Sequence, residues 1–281
     1  MLNTVASPLA TMVGRGVDPV FSSTTPIRYN EGKDGGTGFF FNYQERTYIV
    51  TNRHVVKPDD DSDDDDDINP TEGYIWLRNK TNVSEANRFP IRFEKDGKPT
   101  WKTHPAEDVD LAIIPVNSRL SSFDELFDEE STVRSGNLAF TSDYFLHENV
   151  RPDQRVSLVG YPGDFMDSET RFPIRRNALI ASPHGIGFEN KPYFLTDARM
   201  HPGTSGSPVV MESRGLQQTY GNVPEERRKD LYLLGVHSAK FYATKFEERN
   251  ESDQEIIAGR GELDLNVAWY PSLITDIFED L

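Results

Sequence analysis

Short apolar runs recur along the chain between clusters of Gly, Pro, Asn and Asp. In the first half they are "TGFFFN" from Thr37, "TYIVT" from Thr47, "YIWL" from Tyr74 and "LAIIP" from Leu111. In the second half they are "RVSLVG" from Arg155, "ALIAS" from Ala178, "YFLT" from Tyr193, "PVVM" from Pro208 and "LYLLGV" from Leu231. Each is of strand length and rich in β-branched or aromatic residues. Few stretches sustain a helical period, so the pattern predicts an all-β barrel or sandwich architecture. One helix is expected at the end, in "PSLITDIFEDL" from Pro271 to Leu281, where Leu273, Ile274, Ile277, Phe278 and Leu281 share a face. Glu279 and Asp280 oppose its macrodipole, so packing must hold it. No repeat of fixed period is visible.

A length of 281 residues allows one large domain or two small ones with real cores. The polar, acidic segment Ser118–Asn137 is the expected linker between two β units. The chain has no cysteine, which excludes disulfides, zinc–thiolate sites and thiol nucleophiles and favours a reducing compartment. The N-terminal stretch makes a poor signal peptide and no segment approaches a membrane span, so the expected location is cytoplasmic. The net charge of −16 repels nucleic acid and anionic membranes, and neither is expected as a partner. Eight Asp in "DDDSDDDDD", Asp59 to Asp67, carry much of that charge. So dense a run reads as a solvated loop. Clustered carboxylates also suit calcium, but the Gly and the spacing of an EF-hand loop are missing.

Three stretches bear chemistry. "IVTNRHVV" from Ile49 carries His54, "DVDLAII" from Asp108 carries Asp110, and "HPGTSGSPVV" from His201 carries Ser205 between Gly203 and Gly206. Alone, each has an ordinary reading as core imidazole, surface acid or turn. Together they meet the needs of acyl transfer. A serine hydroxyl becomes a good nucleophile when an imidazole takes its proton. The imidazole needs a carboxylate to fix its tautomer and stabilise its cation. The developing oxyanion needs backbone N–H donors, and glycine lets a turn aim them inward. The order His, Asp, Ser is that of the chymotrypsin template rather than of subtilisin or the α/β-hydrolases.

On "TNRHVV", "DLAI" and "GTSGSP" the chain resembles the trypsin-like (chymotrypsin-fold) serine peptidases of the bacterial, disulfide-free type, with "VGYPGD" from Val159 and "LGVHS" from Leu234 as further matches, over Thr37 to Tyr242. The resemblance implies two packed six-stranded Greek-key β-barrels followed by the C-terminal α-helix. The corresponding division is an N-terminal extension over 1–30, a first barrel over 31–135 with His54 and Asp110, a second over 136–270 with Ser205, and the helix over 271–281. It further implies His54 as general base and then acid, Asp110 as its orienting group, Ser205 as nucleophile, and the N–H groups of Gly203 and Ser205 as oxyanion hole. Asp108 and Ser207 are the rivals to Asp110 and Ser205. The family places its carboxylate directly before Leu-Ala and reacts through the first serine of G-x-S-G-S-P, which favours Asp110 and Ser205.

Two departures matter. Digestive members carry Asp before the nucleophile to pair with a newly cut N-terminus; here Thr204 stands there and no Ile-Val-Gly-Gly-like start is present, so no activation by that ion pair is expected. Arg199, six residues before Ser205, and His237 fall where the family lines its first specificity pocket, as in the glutamyl-specific and picornain-like peptidases. Both are donors suited to an acidic or amide side chain, so cleavage after Glu, Asp or Gln is expected. The bland alternative pairs Arg199 with Asp197 and leaves His237 as packing. His104, His147, His184 and His201 show no paired spacing; no metal and no cofactor are expected. The expected partner is a polypeptide substrate, and the oligomeric state is open. Rival functions are a catalytically quiet peptide- or protein-binding module on the same fold and a small-ester hydrolase.

Overall fold

The computed structural model describes residues 17–57, 70–116, 121–122, 137–146, 150–212, 229–244 and 260–280. The Asp59–Asp67 run, His147, Leu281 and most of the expected linker Ser118–Asn137 lie outside these residues.

Apart from two short two-stranded pairs, 94–95 with 98–99 and 121–122 with 138–139, the strands fall into two groups. The first half contributes β1 (Thr24–Tyr29), β2 (Asp34–Tyr43), β3 (Arg46–Thr51), β4 (Glu72–Arg78), β5 (Ala86–Arg92), β6 (Lys102–Thr103) and β7 (Ala112–Val116). They form one antiparallel sheet in the order β5-β4-β1-β2-β3-β7-β6. β1 lies within the span expected as an N-terminal extension, yet it pairs on both sides, with β2 and with β4. The second half contributes β8 (Arg155–Gly160), β9 (Ile174–Ile180), β10 (Tyr193–Asp197), β11 (Pro208–Glu212), β12 (Leu231–Thr244) and β13 (Arg260–Trp269). These six close into a barrel in the order β8-β9-β10-β13-β12-β11, with Ser157 opposite Val210 at the closing seam. The predicted six strands hold for the second unit; the sheet of the first also includes the two-residue β6.

Alternation along the strands explains why so many runs are apolar throughout. Side chains of a strand point to opposite faces in turn. Phe40, Ile49, Ala112 and Ile114 pack with Ile27, Ile75, Ile91 and Phe93 in a core of the first unit. Their neighbours Phe39, Phe41, Val50, Leu111 and Ile113 face the other way, into a cluster shared with Val159, Val210, Leu233, Val236 and Trp269 of the second. Val156, Leu158, Phe194, Val209 and Leu234 fill the barrel itself. Both faces of the central strands are therefore largely dry, and the polar side chains buried in them, such as Thr37 and Arg28, are hydrogen-bonded. This shared core fixes one unit against the other and so fixes what lies in the crevice between them.

The C-terminal helix α1 (Ser272–Glu279) buries Leu273, Ile274, Ile277 and Phe278. Phe278 stacks on Tyr43 with ring centroids 4.1 Å apart and meets Tyr48 edge-on at 4.7 Å. Packing thus offsets the unfavourable charge of its last turn. Among the described residues no helix is long and apolar enough to cross a membrane.

Candidate active site

His54 follows β3 in a single helical turn, Arg53–Val56, whose Val55 and Val56 are buried in the first core. That anchoring leaves the imidazole about one third exposed, toward the crevice. Asn52, fully buried before the turn, donates from its side-chain amide to Asp110 O at 2.7 Å. Arg53 donates to Glu107 O. The turn bearing His54 and the segment bearing Asp110 are thereby tied together. Asp110 is flanked by buried Val109 and Leu111, so its own side chain must leave the core. It meets His54 twice: Oδ1 accepts the His54 backbone N–H at 3.1 Å, and Oδ2 lies 2.8 Å from Nδ1. Of the two rival acids, Asp108 is exposed and Asp110 holds the imidazole.

Ser205 lies in the tight loop between β10 and β11, with Gly203 at φ +86° and Gly206 at φ +85° on either side. The left-handed region favours glycine. At Gly206 a Cβ would stand 2.0 Å from Thr37 O, so no side chain fits. Thr37, fully buried in β2, straps the loop to the first unit. Its N–H donates to Ser205 O at 2.8 Å and its hydroxyl to Gly203 O at 2.7 Å. Ser205 keeps partial exposure, whereas the rival Ser207 is fully buried. The N–H groups of Gly203 and Ser205 find no acceptor among the described residues, while Thr204, Gly206 and Ser207 all donate to carbonyls.

Ser238 joins the two halves, and the sequence reading did not single it out. Its hydroxyl donates to Asp110 Oδ2 at 2.6 Å, and its carbonyl accepts the Ser205 hydroxyl at 3.1 Å. The structure therefore brings His54, Asp110 and Ser205 into one network through Ser238, with the Ser205 hydroxyl directed at Ser238 O rather than at the imidazole. Burial by itself would raise the Asp110 pKa; the bonds and charge of His54, and the Ser238 bond, outweigh it and hold the carboxyl below its ordinary range. The acid stays ionised.

Arg199 and His237 are not brought together by any hydrogen bond or ion pair. Arg199 is exposed, and among the described residues it makes no ion pair with Asp197 or any other acid. His237 is 2% exposed, and its Nε2 lies 3.1 Å from Thr204 Oγ1. That hydroxyl spends its single proton on His201 O at 2.7 Å, so Nε2 must be the donor to it. Burial and the nearby His54 charge push the His237 pKa down to about 3, so the ring is neutral. It backs the Ser205 loop through Thr204. Among the other histidines, His104 contacts Asp276 at 3.5 Å and His184 packs between Phe194 and Tyr270. No group of three or more potential metal ligands occurs among the described residues.

Residues 36–216 match the family model of the trypsin-like peptidase domain. The chain belongs to the trypsin-like peptidases. No curated protein matches it. Among solved structures, it is similar to the Rv3671c protease of M. tuberculosis in two inactive forms. The one with a serine-to-alanine mutation is 15% identical at a TM-score of 0.48, covering 93% of this chain and 87% of that one. The other is 16% identical at 0.47, covering 93% and 89%. At those values the family rests on the sequence match. For a trypsin-like peptidase the residues missed by the sequence reading are Ser238, Thr37 and Asn52. The "GVHS" run contained Ser238, but nothing local marks a serine as the bridge between Asp110 and Ser205, both far away in the chain.

Proposed function

We propose that this trypsin-like peptidase is a serine endopeptidase acting through an acyl-enzyme on Ser205. The observation that carries the reading is the hydrogen bond between His54 Nδ1 and the ionised, doubly held Asp110, in a network that reaches the Ser205 hydroxyl. Asp110 keeps the proton of neutral His54 on Nδ1, which leaves Nε2 with a lone pair. Rotation of the Ser205 side chain about χ1 exchanges Ser238 O for that lone pair. Ser205 Oγ then attacks the peptide carbonyl as Nε2 takes its proton. The oxyanion falls to the unpaired N–H groups of Gly203 and Ser205. Collapse breaks the C–N bond, and His54 returns the proton to the leaving amine. Water, deprotonated by the same imidazole, releases the acid and restores the hydroxyl.

A side chain before the cut that is acidic or Gln is part of the proposal. Arg199 is the cation on which this part rests, because His237 is neutral and its N–H is committed to Thr204. A fluorophosphonate probe tests the core of the reading. Wild type should label covalently and Ser205→Ala should not. A folded wild type that stays unlabelled would leave only the binding-module reading. Labelling joined to cleavage of small esters but of no peptide in a library would favour the ester hydrolase.

A further inference from the structure

We propose that the ion pair between Arg28 and Asp164 is an internal clasp that aims the Gly203 N–H into the cleft, making Asp164 and Arg28 positioning residues for the oxyanion site. The proposal rests on the reading of Ser205 as nucleophile. Arg28 is a cation in an unusual place: it lies in β1, an inner strand of the first sheet, and is 3% exposed. Buried charges need partners. Its Nη1 donates to Ile27 O and Gly36 O, both at 2.8 Å, and its Nη2 reaches Asp164 Oδ1 of the second unit at 2.6 Å. The first two bonds hold the guanidinium rigidly in the sheet. The ion pair, which acts through charge rather than an aligned hydrogen bond, tethers the turn 162–164.

That turn needs a tether. Gly163 at φ +56° and Asp164 at φ +62° are both left-handed, a conformation that aspartate adopts when the surroundings hold it there. The turn in turn holds the oxyanion loop. Gly163 N–H donates to Pro202 O at 2.7 Å, and a Cβ at Gly203 would lie 2.5 Å from Tyr161 O. The Pro202–Gly203 peptide is planar and trans, so a carbonyl fixed on the turn points the Gly203 N–H the opposite way. Thr37 secures the next peptide through Gly203 O, and the same hydroxyl accepts the Tyr161 N–H at 3.1 Å. Releasing Asp164 frees the turn, then Pro202 O, and lets that peptide rotate.

The test uses the full chain and Asp164→Asn, chosen because asparagine tolerates the left-handed backbone while losing the charge. Asp164 is half exposed, so the variant should fold. Three quantities are read: the fluorophosphonate labelling rate, the affinity of a peptide boronic acid that forms a tetrahedral adduct, and hydrogen exchange at the Gly163 amide. The expected result is labelling slowed and adduct weakened by about tenfold or more, part of the roughly 10²–10³ lost with a whole oxyanion donor. Binding of an uncleaved peptide product should stay unchanged and Gly163 exchange should quicken. A general structural role would move product binding as well. Wild-type labelling kinetics in the variant would overturn the clasp, whatever exchange does. A wild type that does not label at Ser205 would overturn the functional reading, and with it the catalytic meaning of the clasp.

Discussion

Ser238→Ala separates what holds the site together from what the reaction uses. The substitution removes one hydroxyl, 2.6 Å from Asp110 Oδ2, and leaves the two contacts from His54 at 2.8 and 3.1 Å. A hydrogen bond to a charged group contributes about 1.5–3 kcal/mol, and the Asp110 carboxylate is mostly buried, so a stability loss of about 2 kcal/mol is expected. The rate should fall less. Asp110 is ionised before and during the reaction, so the Ser238 bond exists in both states, and only interactions that strengthen in the transition state lower the barrier. What remains is looser orientation of the imidazole, about 1 kcal/mol or roughly fivefold in kcat. Asp110→Asn should behave in the opposite proportion. Its amide would donate to Nδ1, place the imidazole proton on Nε2 and cost about 10⁴ in kcat, as in the chymotrypsin template. The pH dependence follows the same geometry. The Asp110 pKa is lowered in the folded state, so its contribution to stability is present above the unfolded value of about 4 and is lost as pH falls through the folded value. Removing Ser238 lessens the depression and shrinks that contribution at neutral pH. Urea unfolding and turnover of a peptide substrate, each for both variants, read the two quantities. A hundredfold fall in kcat for Ser238→Ala with stability untouched would refute the reasoning, since Ser238 would then act on the transition state itself.

Gly206→Ala should be destabilised by at least about 3 kcal/mol in urea unfolding, from roughly 1–2 for the left-handed backbone and about 1 for each strap bond displaced; its Cβ would stand 2.0 Å from Thr37 O. His237 has a pKa lowered to about 3, so between that value and its ordinary one near 6.5 the unfolded chain binds a proton that the folded chain does not. Stability should therefore fall as pH drops below about 6.5 and be unaffected by this group above it, and His237→Gln should remove that slope while still donating to Thr204. Arg199→Ala should lower kcat/KM for substrates with Glu before the cut about fivefold relative to those with Ala there, as suits an exposed ionic contact of about 1 kcal/mol; equal losses for both substrates would remove Arg199 from the specificity argument.

Local signals were strong where chemistry and chain direction coincide. Each of the nine apolar runs falls on a strand, with "LAIIP" starting one residue before β7 and "ALIAS" running two residues past β9, because residue spacing and turn residues place a strand but not its ends. The glycines of "GTSGSP" announce a loop that bends through left-handed space, and both Gly203 and Gly206 do so. Four of the strands named above were passed over: the two-residue β6, and β1, β5 and β13, whose "TTPIRY", "ANRFPIR" and "RGELDLNVAW" mix charge with β-formers and gain their partners only in the assembled sheets.

The choice between Asp108 and Asp110, and between Ser205 and Ser207, was open to residue chemistry alone and leaned on family likeness; in the fold it is a matter of burial, with one of each pair exposed to solvent or sealed in the core. Sequence by itself determined that a His, an Asp and a Ser sit at strand ends with glycines beside the serine. Tertiary structure decided the rest: that Ser238 links Asp110, 128 residues away, to Ser205, that His237 is a buried ring with a lowered pKa, and that Arg28 crosses to Asp164. The physical reason is that alternation fixes which face a side chain takes, whereas its partner is fixed by how two sheets pack, and that depends on every buried residue at once.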